Sequence, residues 1–434
     1  MARFELEERA TTHHSRCAKE IIMGTSTIPR ASLPSHARLI ARDDVWMETN
    51  AVEQFARVAE LEGCVRAAAM PDLHAGKGPI GAVFAFQQRI LPYLVGGDAG
   101  CGVLLMSTTA SAMAPDKLEK RIRNALEMDP LEDCDPLEVF DAAWSSGPKG
   151  LAQVAGIPDE IAALAENQSA MDLGPSGDSI AYRDPSHGKA LGSVGGGNHF
   201  AEVTRVDSVR DEAAADAIGL EKGALVALVH TGSRGLGAQL GRRYGETFLT
   251  GAAIDMYLGE LAGAVRFAQT NRFLVACRLL KAMGALRTDK IRGDIEIVHN
   301  TIRRENVGGA EVFVHRKGAA PAGRGEATVV LGSRGAPSWV LSGAGHEGAL
   351  SSVAHGAGRR MNRSDARQKL AFRYKRAELS RTAHGGRIVC DDVDLLYEEH
   401  PDAYKAIEPV VASLVEEGVA APIASLMPVV TIKQ

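Results

Sequence analysis

The chain has no Cys-x-x-Cys pair, although six cysteines stand at 17, 64, 101, 134, 277 and 390 of its 434 residues. Spacing this wide excludes a zinc ribbon and a small disulfide framework, and it fits a reducing compartment. No run of about 18 apolar residues occurs, so no membrane span is expected. The N-terminus lacks the charged-then-apolar order of a secretory signal, so the expected location is the cytoplasm. Neither G-x-x-x-x-G-K-[ST] nor a G-x-G-x-x-G after a strand is present, so a nucleotide would have to be held by another route. A formal net charge of -5 argues against a protein that coats nucleic acid over its whole surface, but allows a local basic channel. Aromatic residues are scarce at 5%, and internal repeats and low-complexity linkers are absent.

Glycine, in contrast, is abundant, with 46 residues. The other fractions, 45% hydrophobic and 24% charged, are those of an ordinary globular protein. Residues 1–35 read as a short strand or arm, with His13-His14 solvated. Near-helical spacing of Val45, Val52, Phe55, Val58, Ala59 and Leu61 predicts an amphipathic helix over 44–62, ended by Gly63. Short apolar runs predict strands at 65–70, 80–86, 103–107, 225–229, 295–298, 311–314, 327–331, 338–341 and 428–432. Helical patterns fall at 115–128, 158–167, 236–285, 392–399 and 402–417, and 168–190 reads as loop. Residues 359–387 carry ten Lys or Arg against two Asp or Glu. Such a run is usually a solvated face, but beside a site in an acidic protein it is also a track for nucleic acid.

The chemistry-bearing residues sit where apolar runs meet glycine-rich turns. Asp98 and Cys101 share Leu94–Gly102 (LVGGDAGCG), and Gly195-Gly196-Gly197 precedes Asn198 and His199. His230 follows 225–229, His299 follows 295–298, and His315 follows 311–314. Asp98, Cys101, His199, His230 and His315 form a mixed O/S/N set suited to a borderline divalent ion, and a single cysteine can serve two ions at once. The competing reading makes His230 and His315 buried strand-end histidines bonded to backbone. His355 heads Gly356-Ala357-Gly358-Arg359, where bare backbone lets a charged group approach ring and amides. A neutral imidazole there is a competent nucleophile toward phosphorus. Candidate residues scattered from 98 to 355, with Lys433 near the end, favour one intertwined α+β domain over separable units.

Six stretches, in order, resemble the RtcB family of RNA ligases: Pro71-Asp72-Leu73-His74, Gly97–Gly102, Gly195–Phe200, His230–Gly235, His315–Ala319 and His355–Arg359. The resemblance implies a single domain over 1–434 of stacked mixed β-sheets surrounded by helices, with 359–387 facing RNA. It implies joining of RNA 3′-phosphate or 2′,3′-cyclic phosphate ends to 5′-hydroxyl ends, with GTP guanylating His355 and two Mn²⁺ ions bound. Carried over by motif, Asp98, Cys101, His199, His230 and His315 would hold the metals, with Cys101 bridging. Asn198, His199, Phe200, Ala201, Glu202, His315, Arg316, Leu331, Gly332, Ser333, Arg334, Ser338, His355, Gly356, Ala357, Gly358 and Lys433 would cradle the guanylate. Asp72 would serve the 5′-hydroxyl step. The RNA would be a tRNA or a damaged RNA, and an activating protein partner is left open. Ala99 after Asp98, His346 after Gly345, and Arg334 and Pro337 in the Gly332 loop depart from the family's pattern. The alternatives are a metal-dependent phosphoesterase that trims RNA ends without sealing, and a non-enzymatic RNA-binding paralogue.

Overall fold

The computed structural model describes residues 33–169 and 171–434. The expected N-terminal arm and its His13-His14 pair therefore lie outside the described residues, apart from positions 33–35. The fold is α+β. Among the described residues the strands make three sheets. The five-stranded sheet runs, in spatial order, Ala37–Leu39, Cys64–His74, Ile80–Phe86, Ala310–Lys317 and Asn300–Val307. The largest runs Ala327–Val330, Ser338–Gly343, Ala420–Ile432, Phe200–Val209, Leu225–Thr231, Gly102–Thr108 and Ile291–Val298, with Arg387–Val389 parallel to Ala420–Ile432. Ala319–Pro321 pairs antiparallel with Ser352–Ala354.

The two large sheets stack face to face, and alternation along the strands shows it. In Gly102–Thr108, Val103 and Leu105 share a core with Val83, Ala85 and Val314 of the five-stranded sheet. Leu104 and Met106 point the other way, into a core with helix Ala252–Met283. Successive side chains of a strand face opposite sides, so a strand buried on both reads as an unbroken apolar run. Ile80–Phe86 behaves alike: Phe84 and Phe86 face helix Thr49–Ala59 through Phe55. The result is a helix–sheet–sheet–helix stack.

Most expected elements form, with shifts of a few residues at their ends. Four departures are larger. The 236–285 pattern forms two helices, Gly235–Tyr244 and Ala252–Met283, and 402–417 is an α-helix only over Ile407–Glu416. The last strand spans Ala420–Ile432, far beyond 428–432, because pairing with Ser338–Gly343 on one side and Phe200–Val209 on the other imposes extension on a stretch rich in Ala, Ser and Pro. The 168–190 loop contains a short helix, Pro185–Ala190, whose first turn is capped by Asp184 accepting from the Ser186 amide.

Helix Ala252–Met283 is buried on nearly every side and reaches under the strand ends through two polar residues. Asn271 Nδ2 donates to Ser193 O at 3.1 Å and Gly232 O at 3.3 Å. Arg272, fully buried, donates through Nη1 to Gly100 O (2.8 Å) and Thr231 O (2.6 Å), and through Nε to Glu296 (2.8 Å). Those two carbonyls immediately precede Cys101 and follow His230, so the helix fixes both. Replacing Arg272 with Met strands Glu296 as a buried unpaired carboxylate. It is expected to lower stability by about 3–5 kcal/mol, read from urea unfolding.

Candidate functional site

Neighbouring strand ends gather the polar side chains. Val103 is opposite His230, His230 is opposite Phe200, and Gly102 is opposite Val298. The residues at or just beyond these ends, Cys101, His199, His230 and His299, therefore meet at one edge of the sheet. Cys101 Sγ lies 3.4 Å from Nε2 of both His199 and His230. His230 Nε2 and His299 Nε2 are 3.1 Å apart, and His199 Nε2 is 2.8 Å from Asp98 Oδ2. Two groups able to hold a metal ion result, Cys101/His230/His299 and Asp98/Cys101/His199, each with ligand atoms within 4.8 Å of one another. The thiol belongs to both.

A second ring of contacts orients these donors. Asn300 Nδ2 donates to Asp98 O at 3.2 Å, which turns Oδ1 toward His299 Nδ1 (3.3 Å) and the Gly318 amide (2.8 Å). His299 thus carries its proton on Nδ1 and presents a lone pair at Nε2. Arg234 Nη1 reaches His199 Nδ1 at 3.2 Å. Gly100, at φ +75°, lies so close to the long helix that a Cβ would meet Val265 Cα at 3.0 Å. Burial, and after it the neighbouring histidines, keeps His230 well below the ordinary imidazole range, while His299 is lowered by burial and then His355. Burial, then Asp98's charge, pushes the Cys101 thiol well up. Burial alone would raise Asp98, but His199's charge and hydrogen bond outweigh it and hold the carboxyl below its usual range. A donor set of imidazoles, a carboxylate and a thiol that gives up its proton on metallation suits a borderline divalent cation.

His355 stands against this cluster, its ring centroid 4.9 Å from that of His299. Its Nδ1 is 2.6 Å from Oδ2 of Asp72, a fully buried side chain whose Oδ1 has no hydrogen-bond partner among the described residues. With Asp72 ionised, Nδ1 is the donor and Nε2 keeps its lone pair. His74 Nδ1 bonds Asp72 O at 2.8 Å, and burial lowers His74 to about 4. Gly358, at φ +74°, presses on the Asp72 backbone, where a Cβ would stand 2.8 Å from Asp72 Cα.

These groups line a cavity of about 1470 Å³, wider than a single small ligand fills. Of the expected residues, Asp98, Cys101, Asn198, His199, Phe200, Glu202, His230, Leu331, Gly332, Ser333, Arg334, His355, Gly356, Ala357, Gly358 and Lys433 line it. Lys433 Nζ donates to Gly197 O and His199 O, both at 3.0 Å, and burial lowers it to about 8. Burial raises Glu202 to about 7, with Thr431 donating to it at 2.6 Å.

Five expected residues do not line it: Asp72, which stands behind His355, and four that lie elsewhere. His315 is fully buried inside strand Ala310–Lys317. Its Nε2 accepts from the Leu91 amide at 2.9 Å and its Nδ1 bonds Phe313 O at 2.9 Å, so both nitrogens are spent on backbone. His315 matches the backbone-bonded alternative, and it is His299 that stands with Cys101 and His230 in a group able to hold a metal ion. Arg316 is buried between Ser352 Oγ (2.9 Å), Leu350 O (3.1 Å) and Glu305. Ala201 faces the helix-side core, and Ser338 Oγ accepts from the Gly332 amide at 3.1 Å, shaping the loop from behind. Sequence reasoning also missed Lys317 and Glu399. Lys317 lines the cavity with Nζ 3.2 Å from Val95 O, lowered by burial to about 8. Glu399 is a buried carboxylate at 2.9 Å from Arg359 and 3.8 Å from Lys433.

Stacked sheets carrying a thiol-bridged pair of donor clusters beneath an open cavity define the class. The particular family follows from comparison: the model described as tRNA-splicing ligase RtcB matches residues 54–254 and 249–434, and the chain belongs to that family. It is similar to the RNA-splicing ligase RtcB2 of Escherichia coli, 36% identical across 91% of this chain and 94% of that one. It is also similar to the tRNA-splicing ligase RtcB of Thermococcus kodakarensis (30%, 87% and 89%) and the RNA-splicing ligase RtcB of Mycobacterium tuberculosis (30%, 88% and 100%).

The two histidines make opposite predictions. His299→Ala is expected to weaken Mn²⁺ binding at least about tenfold by isothermal titration. His315→Ala is expected to leave metal affinity unchanged while lowering the melting temperature, because it strands the Leu91 amide.

Proposed function

We propose that the chain is an RNA ligase that joins RNA 3′-phosphate or 2′,3′-cyclic phosphate ends to 5′-hydroxyl ends through a GMP adduct on His355, using GTP and two Mn²⁺ ions. The observation that carries this reading is a histidine held through Nδ1 by a buried carboxylate, 4.9 Å ring to ring from His299 of the metal-type cluster. Asp98, Cys101 and His199 would hold one ion and Cys101, His230 and His299 the other. The shared thiol and the 3.1 Å approach of two imidazole nitrogens fit that assignment. When bound, the ions supply neutralisation of phosphate charge.

The chain's own groups do the rest. His355 Nε2 attacks the α-phosphorus of GTP; the N–P bond forms as the bond to pyrophosphate breaks. The ring keeps its Nδ1 proton and becomes cationic, and Asp72 at 2.6 Å balances that charge. The adduct is then a good donor of GMP to an RNA 3′-phosphate, and attack by the 5′-hydroxyl expels GMP. Asn198, Phe200, Glu202, the 331–334 loop, Gly356, Ala357, Gly358 and Lys433 surround the nucleotide. A cyclic phosphate is opened first.

The 359–387 segment is read as the RNA track. Arg359, Asn362 and Arg363 line the cavity, and helix Arg363–Arg373 begins there. Its exposed Arg367, Lys369 and Arg373 pair with Asp394, Asp365 and Asp402 at 2.8, 3.4 and 3.2 Å, contacts weak enough for phosphates to displace. Helices long and apolar enough to cross a membrane are absent among the described residues. The reading takes the chain as one catalytic domain acting in the cytoplasm on tRNA or damaged RNA, with an activating protein as a further partner.

Incubation with α-labelled GTP and Mn²⁺ is expected to label the protein with an acid-labile adduct, absent in His355→Ala. Asp72→Asn should slow labelling by about 10- to 1000-fold. An RNA product that has lost its end phosphate without being joined would replace this reading with the phosphoesterase.

A further inference from the structure

Lys405 belongs to neither donor cluster and does not line the cavity, and no part of the reaction outlined above uses it. Its side chain is nine-tenths buried, an unusual place for a flexible, strongly hydrated ammonium. Nζ donates to Pro71 O and to Leu73 O, both at 2.9 Å. These are the carbonyls on either side of Asp72. The Lys405 amide donates to Gly358 O at 2.9 Å, in the turn that follows His355. A single residue thus grips the backbone around both members of the Asp72–His355 pair. The third side of the contact is the packing of Gly358 on the Asp72 backbone.

The arrangement answers an electrostatic need. Asp72 is wholly buried, and among the described residues its carboxylate hydrogen-bonds only His355, Oδ1 having no partner. A buried charge without compensation is costly. Lys405 is the cation that hydrogen-bonds to both carbonyls flanking that carboxylate; burial lowers it to about 8, and Asp72's charge acts against that loss. Its ammonium also lies 5.8 Å from the Trp46 ring centroid, a cation–π contact.

We propose that Lys405 is a positioning residue for the Asp72–His355 pair: it holds the Asp72 backbone and the glycine turn in register and supplies the charge that lets the buried carboxylate orient His355 for attack. The proposal rests on His355 being the nucleotide-accepting group, and it assigns Lys405 no contact with nucleotide, RNA or metal. Lys405→Met keeps length and apolar bulk but removes the charge; Lys405→Arg keeps the charge.

The experiment is a double-mutant cycle on the full chain. Single-turnover labelling by GTP and equilibrium GTP binding are measured for wild type, Lys405→Met, Lys405→Arg, Asp72→Asn and the Lys405→Met/Asp72→Asn pair. Lys405→Met is expected to slow labelling by about 10- to 100-fold with GTP affinity held within about twofold. Lys405→Arg should recover part of that loss. In the Asp72→Asn background the Lys405→Met effect should shrink to about twofold or less, because the two act as one unit. An undiminished fold-loss in that background, or a wild-type rate in Lys405→Met, overturns the proposal. A parallel readout needs no nucleotide: the rate of His355 acylation by diethyl pyrocarbonate, followed by peptide mass spectrometry. It should fall in Lys405→Met and not fall further in the pair. Wild type that takes no label from GTP while His355 acylation still depends on Lys405 would sink the ligase reading and leave the positioning role standing. Acylation indifferent to Lys405 would sink the positioning role.

Discussion

The structure depends on one constraint: a thiol, a carboxylate and three imidazoles brought together at a buried sheet edge where few partners exist for them. His230 Nε2 and His299 Nε2 approach to 3.1 Å, and His230 Nδ1 has no hydrogen-bond partner among the described residues. Lone pairs facing one another in a low-dielectric interior repel unless a proton or a cation lies between them. A fold that keeps such a cluster must hold it rigidly, and this one does so with Arg272 and Asn271 from beneath and Asn300 from the side. Each fixes a backbone carbonyl or a ring tautomer beside a ligand atom. The long helix is therefore both the core of one hydrophobic layer and the floor of the site.

A second theme is the use of buried lysines. Lys317, Lys405 and Lys433 each direct Nζ at backbone carbonyl oxygens next to site residues, and burial brings each to about 8. Lys317 and Lys433 line the cavity and, below those values, give it positive charge although the whole chain is acidic, while Lys405 lies outside the lining. Clefts with low-dielectric walls focus such a field. Arg359, Arg363 and Glu399 complete this wall, the carboxylate pairing with cations that a bound polyanion would otherwise attract.

Much of this was legible in the chain. Unbroken apolar runs such as Val103–Met106 foretold strands, and glycines flanking Asp98, Cys101, His199 and His355 foretold close backbone approach. The His299–His315 exchange shows where legibility stops. Both follow apolar runs, and the local texts Val298-His299-Asn300 and Val314-His315-Arg316 give no decisive difference. What separates them is where the strand ends. Ile291–Val298 stops before His299, which sits at the crossing from one sheet to the other, whereas Ala310–Lys317 continues past His315 and seals it against the Leu91 amide. Strand ends are set by pairing with distant segments, which a local pattern does not encode. Arg316 and Ala201 were misplaced for the same reason: period-2 alternation decides the face, and a motif spanning consecutive residues places only every second one in the cavity.

The lysines illustrate a different limit. An isolated lysine in a polar stretch reads as solvated, and Lys405 follows Tyr404 in what sequence alone suggests is a helix start. In the folded chain Pro401–Ala403 is a single 3-10 turn, and the chain then extends before helix Ile407–Glu416. That extension aims Lys405 into the gap behind Asp72, where two carbonyls of strand Cys64–His74 await donors. The strand cannot satisfy them itself, since its pairing with Ile80–Phe86 breaks register between Ala69 and His74. The irregularity that frees Asp72 from the sheet to face His355 is the same one that leaves Pro71 and Leu73 in need of a cation. Bending a strand to deliver a carboxylate creates a hydrogen-bonding deficit beside it, and the fold fills that deficit with a positive charge.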